Sequence, residues 1–280
     1  MESQLEQIRE QQKASWNKFS PGWRKWNDFT MAFLRPMGDE IIACLRLKET
    51  DNVLDIAAGT GEPGLTIAGI VKRGKVTITD LAEGMLDVAR DKAVEKGITN
   101  FDTVACDVCE LPFEDNSFDA ISCRFGFMFF PDMLLAAKEM TRVLKPGGRL
   151  ATSVWGGPEK NPWVGTIMGV ISRTMQTPPP PPGSPGMFRC AAPNAISQLF
   201  QQAGLKDTTE THLTGKLQCG DADTYWSYMN EVGAPIVAAM SKADEPTRAI
   251  IKNETYALIT QKYPGNTAID YGATVICGQK

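Results

Sequence analysis

The chain has 280 residues, 42% hydrophobic composition and a formal net charge of −4. That length fits one large domain or a core with a smaller cap, and the apolar share is ample for a buried interior, which excludes a disordered chain. Lysines and arginines are spread along the sequence, so no basic patch points to a nucleic-acid substrate, and no apolar run approaches the roughly 20 residues that span a bilayer.

In chain order, residues 1–48 read helical, with Trp16, Phe19, Trp23 and Trp26 at three-to-four spacing. They would share one face of an unbroken helix, but Pro21-Gly22 predicts a break into two short helices. The aromatics either anchor the segment to the core or close over a ligand.

The run Val53-Leu54-Asp55-Ile56-Ala57-Ala58-Gly59-Thr60-Gly61-Glu62-Pro63-Gly64 is a hydrophobic strand ending in an acid and a glycine turn. Leu65 to Val71 continues as a helix, so the glycines sit where a nucleotide-like ligand is held against a helix N-terminus. Taken alone the turn is ambiguous. Gly59-x-Gly61-x-x-Gly64 also satisfies the dinucleotide fingerprint, and Asp80 stands about 20 residues on, where that fingerprint expects a ribose acid. Asp55, just before the turn, would repel a pyrophosphate, whereas S-adenosylmethionine has no phosphate and carries an ammonium and a sulfonium.

Further segments follow in order. Val76 to Asp80 is a strand ending in a carboxylate, and Leu81 to Arg90 opens a helix. Asp102 to Asp107 is a third strand ending in an acid, Asn116 to Ser122 leads into a fourth, and Ala136 to Leu150 is a helix, a Pro-Gly-Gly turn and the start of a fifth. This block, about Asp51 to Trp155, resembles the class I S-adenosylmethionine-dependent methyltransferases, in particular the group of ubiquinone/menaquinone C-methyltransferases and small-molecule methyltransferases. One departure is that Glu62-Pro63 stand where the family often has a third glycine.

After Trp155 the pattern changes. A helix from near Trp163 to Met175 gives way to Thr177, five prolines from Pro178 to Pro182 and Gly183-Ser184-Pro185-Gly186, a stiff loop or cap edge. Ala195 to Ala203 reads as a helix ended by Gly204, Thr208 to Leu217 as a sixth strand, Asp221 to Tyr263 as helical and Tyr271 to Gly278 as the closing strand.

The resemblance implies an α/β fold: a Rossmann-like three-layer sandwich whose seven-stranded, mostly parallel sheet has its last strand antiparallel. It divides the chain into an N-terminal helical cap at 1–48, a cofactor-binding core at 49–156, a Pro-rich insertion at 157–190, and a C-terminal part of the core at 191–280 carrying a helical cap at 221–263. The implied activity is transfer of a methyl group from S-adenosyl-L-methionine to a small, partly apolar acceptor at carbon, oxygen or nitrogen, leaving S-adenosyl-L-homocysteine. Rival readings are a protein that binds this cofactor without transferring the methyl, and a nicotinamide oxidoreductase.

Methyl transfer from a sulfonium is an in-line displacement that needs alignment and no nucleophilic side chain. The cofactor residues implied are Asp55, Ala57, Gly59, Thr60 and Gly61 around the turn; Asp80, Leu81 and Met85 after the second strand; Cys106, Asp107 and Val108 after the third; and Arg124 and Phe125 after the fourth. Asp55 is expected to orient the methionine end, Asp80 to accept from the ribose hydroxyls and Asp107 from the adenine amino group. Catalytic residues are not assigned. Positioning candidates are Arg124, Phe125, Tyr225, Tyr228 and Glu231, because His212, the only histidine, falls within the sixth strand.

Cys106-x-x-Cys109 lacks a second pair or a nearby histidine and reads as structural thiols rather than a metal or redox site. The several cysteines also raise arsenite methylation, but the wider pattern fits it poorly. Seven cysteines without a regular framework or a preceding leader fit a reducing, cytoplasmic interior. No stable membrane insertion is expected, and a homodimer stays open as a partner arrangement.

Overall fold

The computed structural model describes residues 4–178, 180–181 and 183–280, so Pro179 and Pro182 of the proline run lie outside the described residues. Two helices open the chain, α1 (Gln4–Lys25) and α2 (Asn27–Leu45). Pro21 does not break α1 as expected. The Asn17 carbonyl, which loses its helical donor at Pro21, accepts instead from the Ser20 hydroxyl at 3.0 Å. The interruption falls at Trp26, where the N–H still reaches the Gly22 carbonyl at 3.0 Å. Close packing accounts for Gly22, since a Cβ there would lie 2.1 Å from the Glu231 carbonyl oxygen.

The core then alternates β1 (Asn52–Ile56), α3 (Gly64–Ala68), β2 (Lys75–Asp80), α4 (Glu83–Glu95), β3 (Phe101–Ala105), β4 (Phe118–Arg124), α5 (Met133–Val143) and β5 (Leu144–Trp155). β1 is buried along all but its first residue because helices cover both faces of the sheet, which explains its unbroken apolar run. β5 begins earlier than expected, at Leu144, with a register shift against β4 where Pro146-Gly147-Gly148 jogs the strand.

Beyond it lie α6 (Pro162–Met175), α7 (Ala195–Gln202), β6 (Lys206–Gly220), α8 (Ala222–Val232), α9 (Ala234–Met240), α10 (Glu245–Lys262) and β7 (Thr267–Gln279). The described part of the loop after α6 docks back on the core, with the Gly186 N–H donating to the Met128 carbonyl at 3.0 Å and the Arg189 guanidinium to that of Phe130.

The seven strands are ordered β3-β2-β1-β4-β5-β7-β6, with β7 antiparallel to both neighbours. β1 pairs in parallel with β2 on one side and β4 on the other, so successive crossovers leave in opposite directions there. A crevice opens outside the strand ends at such a switch point. α2 seals one face with the fully buried Met37 and Ile41, while His212 sits on the edge strand β6 with Nδ1 3.0 Å from Thr274 Oγ1. Among the described residues, no helix is long and apolar enough to cross a membrane.

Candidate cofactor and acceptor site

The cavity at the switch point is walled by the glycine turn, the ends of β2, β3 and β4, and residues of α1, α2 and α8. The turn itself is held from below. Gly59 has φ +54°, a left-handed conformation. Asp55 is fully buried, with Oδ2 accepting the Gly64 N–H at 2.8 Å and Oδ1 the Ser122 hydroxyl at 2.6 Å. A Cβ on Gly64 would lie 2.7 Å from Asp55 Oδ2, so a glycine is needed for this contact.

Asp55 and Gly61 therefore do not reach the cavity wall, whereas Ala57, Gly59 and Thr60 do. Burial, opposed by the hydrogen bonds from Ser122 and Gly64, pushes the Asp55 carboxyl up to about 7. Its expected place beside the methionine end is corrected: the side chain leaves β1 toward the start of α3, where it ties strand, turn and helix together.

The acid that does face the cavity beside the turn is Glu62, at the position where the family often has a third glycine. Its Oε2 accepts from the Thr66 N–H and hydroxyl at 3.1 and 2.7 Å, and Oε1 lies 2.9 Å from Lys96 Nζ. Burial alone would raise this carboxyl, but the bonds from Thr66 and Lys96 hold it below the usual range. An anion thus flanks the turn, supplied by a different residue from the one expected.

Asp80 ends β2 on the wall with Leu81 and Met85. Its Oδ2 accepts the Gly59 N–H and Oδ1 the Ala82 N–H, both at 2.9 Å, while burial raises its carboxyl above the ordinary value. A carboxylate has about four acceptor sites, so Asp80 keeps capacity for a ligand hydroxyl beside these backbone donors. After β3, Cys106, Asp107 and Val108 line the far end. Asp107 Oδ1 accepts the Cys109 N–H at 2.9 Å, and Oδ2 pairs with Arg9 of α1 at 3.5 Å.

At the end of β4 the wall becomes aromatic. Phe125, in the left-handed region at φ +61°, stacks on Trp155 with ring centroids 4.1 Å apart and planes 14° apart. Phe33, Trp163, Tyr228 and Met229 extend this surface. Arg124 lies between the two halves of the cavity. Its Nη2 is 3.5 Å from Met31 Sδ, and no carboxylate among the described residues is within ion-pair distance. Burial lowers the Arg124 pKa against the opposing fields of Glu62 and Asp55.

Two positioning candidates lie elsewhere. Tyr225 is fully buried and donates to the Trp163 carbonyl at 2.7 Å, and Glu231 accepts from Lys25 Nζ at 2.7 Å and Trp26 Nε1 at 3.1 Å. α8 turns Tyr228, Met229 and Val232 into the cavity, leaving Tyr225 against α6 and Glu231 facing α1. Neither is placed to take a proton from a molecule there. Tyr228 remains, with burial raising its phenol far above the ordinary range, which makes it a poor base.

Trp16 and Trp23 of α1 line the cavity, while Phe19 packs on Ala82 and Met85 and Trp26 packs edge-on to Tyr228 at 5.6 Å. The spacing that suggested one aromatic face could not separate these fates. Burial pushes the Cys106 and Cys109 thiols up to about 12, as expected of unreactive thiols.

Residues 23–159 match the ubiE/COQ5 methyltransferase family. The demethylmenaquinone methyltransferase of Listeria monocytogenes serotype 4a is 38% identical over 136 residues, 48% of this chain and 57% of that protein. The ubiquinone/menaquinone biosynthesis C-methyltransferase UbiE of Teredinibacter turnerae is 42% identical over 113 residues, 40% of this chain and 45% of that one. The chain thus spans about half the length of the curated relatives it matches. Among solved structures, the YcgJ protein of Bacillus subtilis aligns with a TM-score of 0.59 at 22% identity, covering 88% of this chain and 98% of that one. The [4+2]-cyclase SpnF aligns at 0.54 and 20%, covering 88% and 80%. These likenesses establish a methyltransferase-type fold, and the cyclase among them means that the reaction must be argued from the site.

Proposed function

We propose that this protein is an S-adenosylmethionine-dependent methyltransferase whose acceptor is a small, flat and largely apolar molecule. The observation that carries the reading is the division of one cavity into an acid-lined half at the ends of β1 to β3 and an aromatic half beyond β4, with the unpaired Arg124 between them. The matched family and the names of the quinone-methylating relatives support it.

In this reading Asp80 accepts from the ribose hydroxyls, Asp107 from the adenine amino group, and Gly59 and its neighbours present backbone to the amino-acid end. Arg124 takes the methionine carboxylate, since Arg9, the other arginine on the wall, is already paired with Asp107. Glu62 supplies the anionic field that Asp55 was expected to give. The bound cofactor supplies an electrophilic methyl on sulfur. Phe33, Phe125, Trp155 and Tyr228 hold the acceptor in line and exclude water. With no free carboxylate or histidine among the described residues of the aromatic wall, an electron-rich carbon, such as one on a quinol ring, suits this site better than a hydroxyl that needs a base.

Residues 49–156 then hold the cofactor, and 1–48 and 221–263 form the cap. A cytoplasmic setting fits the seven free cysteines, and a net charge of −4 fits a small-molecule acceptor better than a nucleic acid.

The test is calorimetry with S-adenosylhomocysteine and with 5′-methylthioadenosine, which lacks the amino-acid end. A Kd in the micromolar range, about −8 kcal/mol, is expected for S-adenosylhomocysteine. Arg124→Met should weaken S-adenosylhomocysteine roughly tenfold or more while leaving methylthioadenosine nearly unchanged, the scale of one charge-assisted bond. No binding of either ligand would overturn the reading. Release of S-adenosylhomocysteine against a panel of hydroquinones, phenols and amines then tests transfer itself.

A further inference from the structure

Two cysteines 233 positions apart meet on the side of the sheet that α2 covers: Cys44 in the last turn of α2 and Cys277 on β7. Cys277 Sγ lies 3.6 Å from the Cys44 carbonyl oxygen, and Cys44 Sγ lies 3.8 Å from Glu40 Oε1. Arg149 reaches over from β5, placing Nη1 3.8 Å from Cys277 Sγ, and Arg46 adds positive charge from the end of α2. The proximity of Cys44 and the Arg149 contact outweigh burial and bring the Cys277 thiol down to about 7, while the neighbouring Cys277, burial and the Glu40 carboxylate move Cys44 up. A thiolate beside a guanidinium is a reactive sulfur.

The other cysteines have no such setting. Burial pushes Cys106, Cys109, Cys123 and Cys219 up to about 12 and Cys190 to about 11. Cys109 Sγ already donates to the Asp132 carbonyl at 3.5 Å.

We propose that Cys44 and Cys277 form a peroxide-sensitive dithiol site, which closes to a disulfide pinning α2 to β7. The Cys277 thiolate attacks hydrogen peroxide, forming an S–O bond as the O–O bond breaks and hydroxide leaves with a proton to become water. Cys44 then loses its proton and attacks the Cys277 sulfenic sulfur. The S–S bond forms, the S–O bond breaks and a second water leaves, so two thiols and one peroxide give one disulfide and two waters. Half-buried Cys44 is the side from which peroxide approaches, Cys277 being buried. The bond bears on the cavity because α2 carries Phe33, whose ring packs on Trp155 at 5.7 Å and edge-on to Tyr271 of β7 at 5.2 Å.

The reduced full-length protein is treated with hydrogen peroxide, alkylated, digested and analysed by mass spectrometry. Expected is a peptide pair joined through Cys44 and Cys277, lighter by two hydrogen atoms than the separate thiols and released by dithiothreitol, together with a raised thermal midpoint. Cys106→Ser with Cys109→Ser should leave the cross-link unchanged. In Cys44→Ser, which removes the partner but keeps the attacking sulfur, dimedone should label Cys277. Both thiols alkylated after peroxide, a Cys106–Cys109 link in their place, or no dimedone adduct on Cys277 would each overturn the proposal. Its outcome is independent of whether the protein transfers a methyl group.

Discussion

The side-chain oxygen of Asn17 in α1 accepts the backbone N–H of Gly84 at 2.9 Å, so the N-terminal segment caps the helix that follows Asp80. α4 has no cap of its own, its N-cap position being Ala82 with no side-chain bond. A cap supplied from another helix couples the order of α1 to the wall that carries Asp80, Leu81 and Met85.

Asn17→Ala should therefore cost about 1 kcal/mol in urea unfolding, the usual scale of a lost N-cap. It should also loosen α1 before the rest. Hydrogen exchange of residues 10–30 is expected to slow on adding S-adenosylhomocysteine, because Arg9, Gln12, Trp16 and Trp23 line the cavity and a ligand gives them a partner surface. Equal protection with and without ligand would make these tryptophans permanent core.

Asp80→Ala should weaken S-adenosylmethionine and S-adenosylhomocysteine alike by about 1–3 kcal/mol. The carboxylate also accepts from the Gly59 and Ala82 amides, so its loss frees the glycine turn as well as removing the proposed ribose acceptor. Unchanged affinity by calorimetry in a folded variant would show the ribose site to be elsewhere.

Asp55 makes stability depend on pH in an unusual direction. Burial lifts its carboxyl from 3.8 to about 7, so the folded protein keeps a proton that the unfolded chain releases. Stability should fall as pH rises from about 4 to about 7 and level off above. Asp80, also raised by burial, adds the same sign. Glu62 is shifted downward, so its contribution is present above 4.5 and lost only at lower pH. Asp55→Asn should flatten most of the slope in urea midpoints measured across that range, and an undiminished slope would assign it to other groups.

Gly22→Ala should destabilise by about 1–3 kcal/mol, because the new Cβ would come 2.1 Å from the Glu231 carbonyl oxygen and force α1 away from α8. Gly186→Ala is the control, since a Cβ there meets nothing within 4 Å. Tryptophan emission should shift in the first variant alone, and identical unfolding curves for the two would rule out tight α1–α8 packing.

The strand-helix order, the acids closing the second and third strands and the glycine turn were legible in the sequence because each is fixed locally, by periodicity, by a strand end or by a required positive φ. Asp80, Asp107, Gly59, Arg124 and Phe125 accordingly lie on one cavity. Which of two acids beside the turn lines the cavity was decided only by packing. Asp55 points from a doubly covered strand into the interior and finds Gly64 and Ser122, which leaves Glu62 on the wall. The fates of Pro21, Tyr225 and Glu231 were likewise invisible along the chain. Ser20 repairs the helix at Pro21, and residues 206 and 62 positions away from Glu231 and Tyr225 take up their polar groups. Local rules set the elements and the turn that can hold a ligand, while contacts between distant segments set which side chains remain free to meet it.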